Sequence, residues 1–296
     1  MRRVLSIVGA GRLGTTLGKS LRERGWRIGA VVTRSAATSR AAVRAIGGGT
    51  PRAGLTREAL VADVIFLAVP DDALAGVART LARIGGKECR GLVFLHASGA
   101  LDRKVLAALA RLGASTGSLH PMQTFSGRGL QKHAPKLEGV IFAVEGDAKA
   151  VRAGRGIAVA LGGVPVMIDA RSKPAYHAAG VLVAGHALAL VEAAARMLIK
   201  TGFTRPQAVK TLLPLMRQML DNFSRLGPQA SWTGPVARGD YATVGKHVNA
   251  LRRHPREFRR AYAALALLGE RVLSKKPAAR LRQLKRALKN PSGGFR

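Results

Sequence analysis

The six residues Gly9-Ala10-Gly11-Arg12-Leu13-Gly14 constrain this chain more than any others. They follow a short apolar run, Val4, Leu5, Ile7 and Val8, that is long enough for a buried strand. After them Leu13, Leu17 and Leu21 recur at helical spacing as far as Gly25, and Ile28 to Val32 make a second apolar run. Strand, glycine-rich turn, helix and strand in that order predict a dinucleotide-binding βαβ unit. Gly9 is expected to make the tight turn, Gly11 to let the backbone approach a pyrophosphate, and Gly14 to let helix and strand pack closely. The phosphates would rest on free amides at the start of the helix, beside Arg12 and Leu13.

An NAD-preferring site places an acidic residue about 20 positions beyond such glycines, against the ribose 2′-hydroxyl. Thr33-Arg34-Ser35 stand there instead. A guanidinium and two hydroxyls suit a 2′-phosphate, so the expected cofactor is NADP, with NAD less favoured. The alternative is that Arg34 is one more surface arginine in a chain rich in them.

Further along, Ala36 to Ile46 reads as a helix closed by three glycines, and Asp63 to Val69 as a strand buried on both faces. Pro70-Asp71-Asp72 then caps a helix to about Ile84. Leu92 to His96 is a strand, Asp102 to Leu112 a helix, and another strand leads into Ser118-Leu119-His120-Pro121-Met122. Val140 to Val144 and Val164 to Ile168 complete the strands. Strands alternating with helices predict an α/β domain with a doubly wound parallel sheet over residues 1–169. From Arg171 the alternation stops. Long helices are expected at Arg171–Lys200, Arg205–Phe223, Arg238–Leu251 and Pro255–Ser274, making an all-α domain over residues 170–296. Lys289 to Gly294 read as a frayed end.

In such sheets ligands collect at the carboxyl ends of strands. Val69 and Pro70 stand at one such end, before Asp71; His96, Ser98 and Gly99 follow the next, and His120 the one after. Ser98 and His120 are candidates to face a nicotinamide, with His96 and Gly99 beside a substrate. Lys173 and His177 lie four apart at a helix start, hence on one face, with Tyr176 next to them. A lysine there could protonate or polarise a carbonyl oxygen as hydride arrives at carbon, or could be an ordinary solvated residue. In Ser231 to Asp240, a polar glycine-rich turn, Thr233, free amides and Arg238 could hold a substrate carboxylate; the alternative is a plain interhelical turn.

Charge and cysteine usage set the remaining bounds. Lysine and arginine number 49 against 16 acidic residues, a net charge of +33. This is either a solvated basic surface or an attraction to phosphorylated cofactors, acidic metabolites or, nonspecifically, polyanions. Nine lysines and arginines follow Glu270 with no acidic residue, and without the interleaved aromatics of a sequence-reading nucleic-acid module. The single cysteine, Cys89, excludes an internal disulfide and implies a reducing, cytoplasmic setting. No metal-ligand spacing is evident. Ala178 to Ile199 is apolar enough to resemble a membrane span, but His186, Glu192 and Arg196 favour a helix buried in a dimer or domain core.

The motifs at Gly9–Gly14, His96–Leu101 and Ser118–Phe125, with Lys173–Ala179, Leu212–Leu215 and Thr233–Asp240, are together recognisable. The chain resembles, nearly end to end, the Rossmann-like proteins that carry the C-terminal domain of unknown function 2520. More widely it is similar to the 6-phosphogluconate dehydrogenase-like superfamily, which implies a helical, dimerising second domain. In its β-hydroxyacid dehydrogenases and ketopantoate reductase a catalytic lysine precedes an asparagine by four positions. Lys173 matches the lysine, and His177 replaces the asparagine. Prephenate dehydrogenases carry a serine after one strand and a His-Pro pair after the next, as Ser98 and His120-Pro121 do here, and there the histidine takes the hydroxyl proton. Val183-Ala184-Gly185 departs from the family's usual Ala-Ser-Asn. The resemblance implies an NADP-dependent oxidoreductase acting on a small carboxylate-bearing carbonyl, hydroxy or imine compound. In it Lys173 or His120 serves as acid/base, Ser98 and His177 orient, and Arg238 holds the carboxylate. The alternatives are an imine reductase resembling pyrroline-5-carboxylate reductase, and a cofactor-binding regulatory or scaffold protein.

Overall fold

The computed structural model describes residues 4–126, 135–275 and 277–289. It divides into two compact units, Met1–Ala184 and Gly185–Arg296. The division falls beyond the expected boundary near Asp169, because the helix that begins at Lys173 buries its first side chain among strands of the first unit.

In chain order the first unit runs β1 (Val4–Val8), α1 (Arg12–Glu23), β2 (Arg27–Thr33), α2 (Ala36–Ile46), β3 (Thr50–Ala53), β4 (Val64–Leu67) and α3 (Asp71–Gly85). Then come β5 (Val93–His96), α4 (Ala107–Ala110), β6 (Ser115–Pro121), β7 (Ile141–Gly146), α5 (Ala148–Ala160), β8 (Val164–Met167) and α6 (Lys173–Val181). The strands form one sheet in the order β3-β2-β1-β4-β5-β6-β7-β8. The chain winds outward from β1 through β2 to β3 and then crosses back to β4. Strand order therefore reverses between β1 and β4, where open sheets bind ligands.

Both faces of the sheet are buried, which explains the unbroken apolar runs. Along β4, Ile65 and Leu67 join the core layer formed with Leu74 and Leu81 of α3. Val64 and Phe66 point the other way, into the layer formed with Leu17 and Leu21 of α1 and Ile157 of α5. Successive side chains alternate sides, so a strand covered on both faces must be apolar throughout. Each such side chain contributes about 1.5–3 kcal/mol on burial.

The structure differs from the expectations at five points. The sheet is parallel only as far as β6: β7 runs antiparallel to β6, and β8 runs parallel to β7. An antiparallel neighbour needs no crossover helix, and no helix is described between β6 and β7. The edge strand β3 was not expected, because Thr-Pro-Arg-Ala has no apolar alternation; an edge position is where a sheet tolerates Pro51. The strand expected to Val69 ends at Leu67, and the helix expected over Asp102–Leu112 is a 3-10 turn, Arg103–Leu106, followed by the short α4. The helix expected over Arg171–Lys200 is interrupted by a π-helical turn at Leu182–His186 that contains Gly185.

The second unit comprises α7 (Ala187–Lys200), α8 (Arg205–Ser231), α9 (Pro235–Arg238), α10 (Tyr241–Ala250), α11 (Arg256–Leu273) and α12 (Pro277–Lys289). A Thr204 capping box starts α8, and Gly227, at φ 77°, kinks it. Gly239, left-handed at φ 76°, separates α9 from α10 within the helix expected from Arg238. Ala195, Ala208, Val244, Val248, Leu251 and Leu284 are buried. The helix α12 was not expected, and residues 290–294 of the predicted frayed end lie outside the described residues.

Candidate active site

The glycine-rich turn joins β1 to α1 at the switch point. Gly9 has φ 90°, and a Cβ built on it would lie 2.6 Å from the Ala68 carbonyl oxygen just beyond β4. A Cβ on Gly14 would lie 2.7 Å from the Gly9 carbonyl oxygen. Over Gly11, by contrast, no atom lies within 4 Å of the Cβ position. The outer two glycines therefore close the turn against the sheet, and the middle one leaves open space. Gly11 caps α1 through its backbone alone, so the first amides of the helix, from exposed Arg12 and half-buried Leu13 onward, have no intrahelical acceptor. Open space before free, positively polarised amides fits a pyrophosphate. Val69 leans over Gly9, its Cγ1 2.8 Å from that glycine's Cβ position, and Pro70 caps α3.

At the end of β2 the hydroxyls form a cluster that includes one residue the sequence reading missed. Ser35 Oγ accepts from the Thr38 amide at 3.2 Å and so caps α2. Thr38 Oγ1 lies 2.7 Å from Thr33 Oγ1 and 2.8 Å from Ser35 Oγ. Arg34 is exposed beside them. An exposed guanidinium next to a helix start carrying hydroxyls can hold a 2′-phosphate.

The first unit brings together Ser98, Gly99, His120, Lys173, Tyr176 and His177. Gly99 is their floor: a Cβ there would lie 2.7 Å from His177 Cδ2 and 2.8 Å from His120 Nε2. His120 Nδ1 and the Tyr176 hydroxyl are 3.0 Å apart, and the His120 ring meets both Tyr176 and His177 edge to face. Burial, aided by the nearby His177 and Lys173, pushes the His120 pKa down to about 4, so the ring is neutral at pH 7. Burial also pushes the Tyr176 hydroxyl up to about 12.

The other strand-end residues serve the chain itself. The Ser98 hydroxyl donates to Asp71 Oδ2 at 2.7 Å and accepts from the Leu101 and Ala100 amides at 2.9 and 3.2 Å. It thus ties the Ser98-Gly99 turn to the start of α3, just after Pro70. His96 is fully buried; its Nδ1 accepts from the Ser98 amide, which leaves Nε2–H to donate to the Asp102 carbonyl, both at 3.2 Å. Burial, with the Lys173 charge adding to it, pushes the His96 pKa down to about 4.

Lys173 is 0% exposed, and its Nζ donates to Ser118 Oγ at 2.7 Å and to the Ser98 carbonyl at 3.1 Å. Ser118 donates onward to Glu145 Oε2 at 3.4 Å, and that carboxylate also accepts from the Arg103 amide at 3.0 Å. Burial lowers the Lys173 pKa, opposed by Glu145, Asp102 and Asp71, and burial raises that of Glu145, opposed by Lys173. Sequence reasoning missed Ser118 and Glu145 as site residues. They are cross-strand partners in the antiparallel β6–β7 pair, so only the strand direction puts them side by side.

Thr233 and Arg238 belong to the second unit, where both are exposed at the ends of the turn and of α9. Arg280 donates to the Val236 and Ala237 carbonyls and so fixes that turn. Among the described residues, no group of three or more His, Cys, Asp or Glu could hold a metal ion.

Residues 1–121 match a Rossmann-like domain, and residues 140–268 match the domain of unknown function DUF2520. No curated protein matches the chain in sequence. Among solved structures, a Bacteroides fragilis protein assigned as an NADP oxidoreductase is similar with a TM-score of 0.72 at 22% identity, covering 90% of this chain and 96% of its own. A Thermotoga maritima protein has a TM-score of 0.62 at 25% identity, covering 97% and 98%. The reductive aminase from Aspergillus terreus, in complex with NADPH and ethyl-5-oxohexanoate, has a TM-score of 0.62 at 17% identity, covering 100% and 97%.

Proposed function

We propose that this chain, which joins a Rossmann-like domain to a DUF2520 domain, is a cytoplasmic NADP-dependent oxidoreductase acting on a small carboxylate-bearing carbonyl, hydroxy or imine compound. The observation that carries the reading is His120: a neutral imidazole at the end of β6, seated over Gly99 and bonded to Tyr176. NADP, when bound, supplies or accepts the hydride. The chain has to bind the cofactor, orient the substrate and handle one proton. Gly9, Gly11 and Gly14 would shape the pyrophosphate cradle, and Thr33, Arg34, Ser35 and Thr38 would hold the 2′-phosphate. His120 takes the hydroxyl proton as hydride leaves the substrate carbon and returns a proton to oxygen or nitrogen in the reverse direction. Tyr176 and His177 fix the angle of its ring.

The likeness to a reductive aminase supports including imines in the panel that tests this reading. NADPH oxidation is followed with 2-oxoacids, cyclic imines and prephenate-like compounds. Turnover of a member bearing a carboxylate supports the assignment. Tight NADPH binding with no oxidation across the panel would favour the regulatory alternative. Cofactor choice has its own test: Arg34→Asp should weaken NADPH relative to NADH by at least about tenfold, roughly 1.4 kcal/mol. Fluorescence titration that gives the wild-type ratio would remove Arg34 from the 2′-phosphate site.

We further propose a homodimer. The helical stretch Ala170–Lys200 is long and apolar enough to cross a membrane by length and composition, and only 6% of its apolar window is buried within the chain. Val183 and Leu188 are 77% and 70% exposed, while Glu192 in the same stretch pairs with Arg196 and Arg205. A second copy covering this surface explains both the apolar exposure and the ion pairs that lipid would disfavour. Light scattering in detergent-free buffer should give twice the chain mass of 31.2 kDa. A monomer at micromolar concentration would contradict it.

A further inference from the structure

We propose that Lys173 is a positioning residue, a buried ammonium locked between the Ser98-Gly99 turn and the Ser118–Glu145 pair, which holds the floor beneath His120. The inference rests on the oxidoreductase reading, and it assigns to Ser118 and Glu145 roles in a site to which they contribute no substrate contact.

Three observations carry it. First, the Lys173 side chain is fully enclosed, although Tyr176 and His177 on the same helix are only half-buried. Second, its ammonium is committed to protein acceptors. One bond goes to the Ser98 carbonyl, immediately before the glycine over which His120 and His177 lie. The other goes to Ser118 Oγ, whose own proton points to Glu145. A buried ammonium is stable only when paired and hydrogen-bonded, and the relay through Ser118 supplies the counter-charge without bringing the carboxylate into direct contact. Third, the Lys173 charge adds to burial at His96, and to burial and the neighbouring His177 at His120, in disfavouring a positive ring.

The groups facing Lys173 are Glu145 from β7, Asp102 from the loop after β5, Asp71 from α3, and His96 and His120 from the ends of β5 and β6. His120 in turn faces Tyr176 and His177 from α6. Removing Glu145 therefore strips the ammonium of the first of its three acidic partners, and removing Lys173 strips His120 of a repulsive charge. The catalytic ring and the buried cation form one electrostatic unit, in which the cation never has to reach the substrate.

The test is a histidine-labelled full-length protein followed by NMR as pH is lowered, with the His120 signal assigned by its loss in His120→Ala. In the wild type no titration of His120 is expected above about pH 5. In Lys173→Met its midpoint should rise by a resolvable fraction of a pH unit, since burial and His177 remain. Because Lys173→Met leaves Glu145 unpaired and could unfold, the same titration is made in Lys173→Met/Glu145→Gln, which removes both charges; the same upward shift is expected. A purely structural lysine would not move this midpoint, so an unchanged His120 titration in the folded variant overturns the proposal. The readout needs no turnover. Inactivity across the substrate panel would sink the oxidoreductase reading while leaving this result to stand or fall by itself.

Discussion

Gly9→Ala is expected to abolish NADPH binding and to destabilise the first unit, whereas Gly11→Ala is expected to impair binding alone. At Gly9 the backbone sits at φ 90°, which L residues rarely adopt, and the added methyl would meet the Ala68 carbonyl oxygen and carbon at 2.6 and 2.7 Å. Those atoms are backbone at the end of the central strand β4 and cannot move aside as a side-chain tip would. Left-handed strain of about 1–2 kcal/mol and an overpacking cost of about 1–3 kcal/mol add to a loss on the order of 2–5 kcal/mol. At Gly11, φ is −76° and nothing lies within 4 Å, so the methyl fits the folded chain and only occupies the space reserved for a pyrophosphate. Urea denaturation should separate the two variants by at least about 2 kcal/mol, while both lose NADPH affinity by about tenfold or more. Equal stability with intact binding in Gly9→Ala would mean that the turn does not cradle the cofactor.

The second large effect is on pH. His96 and His120 both fall from an ordinary 6.5 to about 4 in the folded chain. Between those values the unfolded chain binds more protons than the folded one, so stability rises with pH through this window and is lost as pH falls from about 6.5 to about 4. For fully buried His96 the loss between pH 7 and pH 5 is on the order of 2 kcal/mol. His120 adds a smaller share, because it is partly exposed and solvent screens it. Glu145 acts in the opposite direction: its carboxyl is raised by burial, so in the acid range the folded chain holds its proton more tightly than the unfolded one. Urea unfolding at pH 7 and pH 5 should show the net loss, and His96→Gln should remove most of it. A wild type equally stable at both pH values would contradict the burial of these rings as neutral groups.

Much of the first unit was legible because its signals are local. A glycine pattern lying between an apolar run and a leucine-spaced helix is readable within one stretch of chain. So were the strand ends that bear His96, Ser98 and His120. Long-range facts were hidden. Nothing in Phe142-Ala143-Val144-Glu145 states that this strand runs opposite to β6, and only that direction pairs Glu145 with Ser118. The edge strand β3 was hidden because an edge needs neither alternation nor an absence of proline. The i, i+4 spacing of Lys173 and His177 was read as one shared face. Both side chains do lie against the Ser98-Gly99 turn; what the spacing did not show is that Lys173, the first residue of α6, is fully buried and bonded to Ser98 and Ser118.

Thr38 was missed at the cofactor end for a similar reason. Its hydroxyl joins Thr33 and Ser35 only once the chain has turned into α2. Arg34, Thr33 and Ser35 were legible because position relative to the glycines is itself the signal.

The central claim is that His120 carries the proton in an NADP-dependent reaction. It is tested most directly by the rate of NADPH oxidation, at saturating cofactor and with the best substrate of the panel, in wild type and His120→Ala. A fall in kcat of roughly 10²–10⁴, with NADPH affinity preserved, is the result predicted. Turnover by His120→Ala at the wild-type rate would contradict it.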